Sequence, residues 1–176
     1  AAGLPLDAVR GQVTHLAEGS LPSLPFVVCR EAYMTPAYQG VMCVGATYAA
    51  DADSSLRMDS QHDNIAKIAD MLDLSPFEAP LAGRTGFRCM APDRLPLAGA
   101  LPDPGVPGRC ERLRDVPRWP GLFGLLGYAS RGLIWAPLAA ELLACQLEGE
   151  PLPLERQLAE ALDPARFLLR ERRRAA

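Results

Sequence analysis

A chain of 176 residues that is 49% hydrophobic and 22% charged has room for one domain or two small ones, with a sizeable buried core. Such a composition excludes a disordered or fibrous chain, and no apolar stretch approaches the roughly 20 residues of a membrane span. The net charge of −3 excludes a protein that binds nucleic acid through a basic field over its whole surface.

Two counts sharpen these bounds. Arg outnumbers Lys 17 to one, Lys67, so any single Arg is a weaker sign of function than usual. The five cysteines (Cys29, Cys43, Cys89, Cys110 and Cys145) are odd in number and never form a C-x-x-C pair, and only His15 and His62 accompany them. Neither a metal site nor a disulfide framework is expected. Reduced thiols packed as small hydrophobes in a cytoplasmic protein are expected instead.

In chain order, residues 8–15, 25–35 and 39–48 are strand candidates, rich in β-branched and aromatic residues. Gly19-Ser20-Leu21-Pro22 and the Pro36–Gly40 stretch separate them. This order predicts an antiparallel meander rather than a βαβ unit. An acidic loop over 49–57 leads to a helix near 60–73, with Ser60 as N-cap and Asp63 in the capping-box position. Ile65, Ile68, Ala69 and Leu72 form its apolar stripe.

Residues 80–90 return to strand character. Residues 91–120 are rich in Pro and Gly, which predicts a linker or an ordered loop. Residues 121–129 read as a buried strand, and Pro137 as the N1 residue of a helix that ends near Leu147 with Gly149 as its C′ residue. The last 13 residues carry five Arg and one Glu, a basic tail that either meets phosphates or stays solvated.

Four stretches carry chemistry. GYASRGLIWAPLAAELLA (127–144) runs a strand through a Gly turn into a helix, and the free N–H groups there suit an anion or a polarised ring oxygen. GFRCMAPDRLPLAG (86–99) puts Arg88 at a strand end, where a guanidinium can clamp a carboxylate. VRGQ (9–12) and EAYMTPAYQGVMCVGATYAAD (31–51) are by themselves strands with a Gly.

In this order the four stretches resemble the glycine oxidase/D-amino-acid oxidase family of FAD-dependent amine oxidoreductases. The matching positions are the RGQ strand; Tyr33, Pro36, Gly40, Gly45, Ala46 and Thr47; Gly86, Phe87, Arg88, Asp93, Pro96 and Gly99; and Gly132, Ala136 and Pro137. The forms RGQVTH, DRLPLAG, SRGLIWAPLAAELLACQLEGEPLPL and DPARFLLR are similar to a tRNA-modifying branch of that family. The resemblance covers nearly the whole chain.

The resemblance implies FAD as cofactor and tRNA as partner. It implies removal of the carboxymethyl group from a carboxymethylaminomethyl-uridine at the wobble position. Arg88 falls on the family's carboxylate-binding arginine, Tyr33 and Tyr48 on strands that wall the substrate cavity, and Ser130, Arg131, Gly132 and Leu133 on the turn along the flavin ring. No side chain is needed as a catalytic base if the amine reacts neutral.

The G-x-G-x-x-G turn that holds the FAD diphosphate in this family does not occur in the sequence. The expected fold is therefore α+β. A mainly antiparallel substrate-binding part with a packed helix occupies 1–118. The last strand, turn and helix of an FAD-binding domain and a basic tail occupy 119–176, as a carboxy-terminal fragment. Leu122, Phe123, Leu125 and Leu126 would then be exposed, which favours self-association. The competing expectation is a stand-alone, non-catalytic α+β module that binds RNA or dimerises.

Overall fold

The computed structural model describes residues 3–75 and 81–174. Their contacts divide the chain into two compact units, residues 8–87 and residues 88–176 together with 1–7. The division falls upstream of the 118/119 boundary expected from the sequence.

In the unit of residues 8–87, strands β1 (Asp7–Ala17), β2 (Val28–Cys29), β3 (Tyr33–Met34) and β4 (Val41–Ala49) stand in the order β2-β3-β4-β1, with β5 (Ala82–Met90) beyond β1. The β1/β4, β2/β3 and β3/β4 pairs are antiparallel, as expected. Two details differ. Residues 25–35 do not form one strand, because Arg30 donates its N–H to the Ala32 carbonyl at 2.8 Å and turns the chain between β2 and β3. The first strand also skips its neighbour in sequence and pairs with β4.

Gln12 faces Thr47 and Val13 faces Gly45, so Ala46 is an extra residue on β4. One face of this sheet buries Leu16, Met34, Met42 and Val44, and Ile68 of α1 (Met58–Leu72) packs on them. Ser60 is not the cap of α1. Arg57 holds that position without a side-chain cap. Gln12 pins the helix start instead: its Oε1 accepts the Arg57 N–H at 2.9 Å and its Nε2 donates to the Arg57 carbonyl at 2.8 Å.

In the second unit the Pro/Gly-rich stretch is not a plain loop. It contains β6 (Leu97–Pro102), which pairs antiparallel with β7 (Arg118–Leu126), and a 3-10 turn at Leu113–Asp115. The segment expected to be buried is largely exposed along β7, at Leu122 and Phe123 above all. Leu125 is half-buried against the cluster of Ala98, Ala139 and Leu142, and Leu126 is half-buried as well.

Helix α2 (Gly132–Glu148) begins five residues before Pro137, which lies inside it. Pro137 lies past the N–H groups that lack acceptors, since Trp135 already donates to the Arg131 carbonyl at 3.0 Å, so the proline removes one N–H from the ladder. Gly149 ends α2 in the left-handed conformation, as expected. Helices α3 (Arg156–Leu162) and α4 (Arg166–Arg174) complete the unit. The carboxy-terminal segment is thus a packed helix and not a loose tail: Leu169 is buried with Cys110, Val116 and Ala165.

Candidate functional site

Arg88 lies half-buried near the end of β5. The carbonyl of the next residue, Cys89, accepts the Ala129 N–H at 3.0 Å, and Met90 forms an antiparallel bridge with Tyr128. The strand that carries Arg88 is thereby bonded to the turn that precedes Ser130, Arg131, Gly132 and Leu133. Two segments about 40 residues apart in sequence meet at these bonds.

The turn is specified locally. Gly127 has φ 72° and Ala129 φ 52°. A Cβ on Gly127 would meet Leu97 Cδ1 at 2.9 Å, so glycine is required there both for conformation and for space. Arg131 then donates its N–H to the Tyr128 carbonyl at 3.0 Å and caps α2 without a side-chain hydrogen bond. No acidic residue occupies the first turn of α2. The N–H groups of Gly132 and Leu133 have no acceptor among the described residues. Burial pushes the Tyr128 phenol above its usual range.

Ser130 and Arg131 are exposed here, and two bare apolar side chains follow them. Leu133 is 97% exposed and Ile134 78%. A helix N-terminus with two unspent donors, no competing carboxylate and an apolar surround fits the electron-rich carbonyl edge of a flavin ring. The described residues offer no cluster of three His, Cys, Asp or Glu side chains that could hold a metal ion.

The two tyrosines belong to the other unit. Tyr33 of β3 is half-buried opposite Gly45 of β4. A Cβ on Gly45 would meet Val13 Cγ1 at 2.9 Å and the Tyr33 hydroxyl at 3.3 Å, so glycine makes the seat for that phenol. Burial pushes the Cys43 thiol up, and the Tyr33 hydroxyl, hydrogen-bonded to its sulfur, offsets part of the effect. Tyr48 is 59% exposed near the end of β4, opposite Gly11.

The remaining motif residues turn out to be framework. Arg10 of the RGQ strand is 1% exposed. Its guanidinium donates to the Asp53 carbonyl at 2.7 Å, the Ser55 carbonyl at 2.6 Å and Gln12 Oε1 at 2.7 Å. It therefore ties the 51–57 loop to β1. Asp53 itself is held down to about 2 by the Ser55 N–H and hydroxyl and by Arg57. Asp93 binds Arg166 through two hydrogen bonds of 2.9 Å. Burial raises the Asp93 pKa, but the Arg166 and Leu95 hydrogen bonds and the charges of Arg166 and Arg170 outweigh it and hold the carboxyl below its usual range.

Arg166 is hidden in the sequence because it stands among the five arginines of the tail. The only signal that could have found it is its place ahead of the apolar Phe167-Leu168-Leu169 run, at the start of a helix.

Comparison with known proteins identifies the family. A family model described as FAD dependent oxidoreductase matches residues 1–146. The tRNA 5-methylaminomethyl-2-thiouridine biosynthesis bifunctional protein MnmC of Burkholderia thailandensis is 50% identical over 97% of this chain, and that of Aromatoleum aromaticum 50% over 98%. The chain spans 28% of the length of each.

Among solved structures, glycine oxidase from Geobacillus kaustophilus superposes with a TM-score of 0.65 at 20% identity, over 94% of this chain and 40% of that one. Iminodiacetate oxidase from Chelativorans sp. BNC1 gives 0.65 at 24%, over 90% and 41%. At these identities the structural likeness speaks for the fold alone. No helix among the described residues is long and apolar enough to cross a membrane.

Proposed function

Since this chain belongs to the FAD dependent oxidoreductase family, we propose that it forms the substrate-carboxylate and flavin-edge part of an amine oxidase that works on tRNA. The substrate is the carboxymethylaminomethyl group of a wobble uridine, and the carboxymethyl arm leaves as glyoxylate. The observation that carries this reading is the bond between Cys89 and Ala129, which joins the Arg88 strand to the turn opening α2.

The roles follow from chemistry. The Arg88 guanidinium is planar and permanently charged, so it would hold the carboxylate of the carboxymethyl arm in one orientation. FAD, when bound, would supply the two-electron oxidation of the methylene carbon between that carboxylate and the amine. The resulting imine hydrolyses, which splits the carbon–nitrogen bond and leaves the aminomethyl-uridine. The Gly132 and Leu133 N–H groups and the α2 dipole would favour the negative charge that the cofactor gains. Ser130 and Arg131 would border the same edge. Tyr33, seated on Gly45, and Tyr48 fall on the strands that the family resemblance assigns to the substrate cavity. The apolar side chains of Leu133 and Ile134 would exclude water beside the ring.

The direct test is turnover by the FAD-loaded enzyme of two substrates, the carboxymethylated tRNA and a free carboxymethylamine. Arg88→Ala should depress both, and an analogue without the carboxylate should be turned over equally by wild type and variant. Unchanged turnover of the carboxymethylated substrates by Arg88→Ala would defeat the assignment.

A further inference from the structure

Charge in this chain is strongly segregated. Residues 106–115 and 166–174 hold eight Arg against three acids, while the chain as a whole stands at −3. Everything outside these two short segments is therefore net acidic. Both segments lie in the unit of residues 88–176, and they face each other directly. Arg172 donates to the Val106 carbonyl and to the Cys110 sulfur, and Arg173 donates to the Glu111 carbonyl.

These bonds dock the last turn of α4 against the loop around the 3-10 turn. Between them lies a concave cleft of about 410 Å³, lined by Arg109, Cys110, Glu111, Arg112 and Arg173. Arg109, Arg112 and Arg173, which line it, are exposed, and so is Arg114 of the same loop. Each guanidinium carries five N–H donors, and Arg173 spends one of them on Glu111. Ion pairing there is loose: Arg109 meets Glu111 at 3.6 Å and Arg114 meets Asp115 at 3.8 Å, with the side chains well exposed. Such pairs are weak in water and exchange readily for a polyanion.

We infer that the cleft between the 106–115 loop and the end of α4 is a docking surface for the sugar–phosphate backbone of a structured RNA, held by Arg109, Arg112 and Arg173, with Arg114 beside them on the same loop. Three features select this occupant. The donors are arginines, which match phosphate oxygens in pairs. The cleft is concave, so a backbone strand enters it while a flat bilayer does not. The rest of the chain is net acidic and repels a polyanion, which confines binding to these two segments. The surface depends on the RNA-substrate reading above only for its biological sense, because the charge pattern calls for a polyanion on its own.

The experiment is equilibrium binding of the 176-residue chain to an unmodified tRNA transcript across a salt series. The variant is Arg109→Gln, Arg112→Gln and Arg114→Gln combined. It leaves Arg172 and Arg173, which tie the helix to the loop, in place. Wild type should bind with a steep salt dependence. The variant should bind about tenfold or more weakly near 0.1 M salt, with a slope shallower by roughly 0.7–0.9 for each phosphate it no longer neutralises. Arg30→Gln, at the exposed Arg30–Asp70 pair of the other unit, should change nothing.

A triple variant that keeps its thermal midpoint and binds tRNA like wild type overturns the proposal. So does wild-type binding to anionic phospholipid vesicles as tight as binding to tRNA. If the triple variant does not fold, Arg112→Gln alone, at an exposed residue lining the cleft, should still lower the slope, and an unchanged slope there overturns the proposal as well. Failure of this surface is separable from failure of the Arg88 assignment, because turnover of a free carboxymethylamine requires Arg88 and no RNA-binding surface.

Discussion

The Ala129 N–H donates to the Cys89 carbonyl at 3.0 Å. This bond and the Met90–Tyr128 bridge set the distance between the Arg88 strand and the start of α2. Neither residue presents a functional side chain here. The relationship is made by backbone, with Gly127 and Ala129 both at positive φ so that the turn can reach the strand.

The first prediction concerns the form of the cation at position 88. Arg88→Ala should lower kcat/KM for the carboxymethylated substrate by about 2–4 kcal/mol of lost charge-assisted binding. Arg88→Lys should recover only part of that, because a point charge cannot reproduce the planar fork. Steady-state kinetics of the two variants side by side checks this. Full recovery by lysine would refute a paired, in-plane contact.

A second prediction separates scaffold from site. The Arg166 side chain is 4% exposed and that of Asp93 21%. Asp93→Ala leaves a buried guanidinium without its carboxylate, so it should destabilise the unit of residues 88–176 by about 3–5 kcal/mol. Denaturant unfolding reads it directly. A loss below about 1 kcal/mol would mean that water replaces the carboxylate at Arg166.

The same pair predicts an acid limit. The folded-state pKa of Asp93 is depressed, so its stabilisation is fully present above the unfolded value of about 3.9 and is lost as pH falls through the folded value. Stability should therefore decline below about pH 4, and Asp93→Asn should remove that part of the decline. Thermal midpoints from about pH 6 down to about pH 2.5 for both chains check the sign.

Gly45→Ala should be destabilising although alanine suits a strand better than glycine. Its methyl carbon would stand 2.9 Å from Val13 Cγ1 and 3.3 Å from the Tyr33 hydroxyl. The expected cost is about 1–3 kcal/mol of overpacking, with a changed Tyr33 environment in ultraviolet difference spectra. A neutral substitution would show that Tyr33 is not seated on this glycine.

Leu122, Phe123, Leu133 and Ile134 leave large apolar side chains in water, the kind of surface that drives association. The isolated chain should self-associate at high concentration, and Leu122→Ser with Phe123→Ser should weaken that association. Sedimentation equilibrium measures it. A clean monomer at every concentration would contradict the prediction.

The outcome for the fold divides along a physical line. The strands over 8–15, 39–48 and 80–90, the helix near 60–73 and its apolar stripe were legible because local periodicity and β-branched composition act within a few residues. Gly149 as the end of α2 was legible for the same reason. The family motifs nominated Arg88, Tyr33, Tyr48 and Ser130–Leu133 through residue order alone, and their roles are the proposal argued above.

Other features were decided only in three dimensions. Strand β6 was hidden under Pro96 and Pro102, since its pairing partner β7 lies beyond a long loop and only that ladder makes it a strand. The start of α1 was set by Gln12, 45 residues away from Arg57, rather than by Ser60. The tail became a helix because Asp93 lies opposite Arg166, and the 106–115 loop gained its cationic cleft because Arg172 and Arg173 found the Val106 and Glu111 carbonyls. Charge and periodicity are properties of the chain, whereas the partner of a buried guanidinium is chosen by the fold, through desolvation that penalises every arrangement leaving it unpaired.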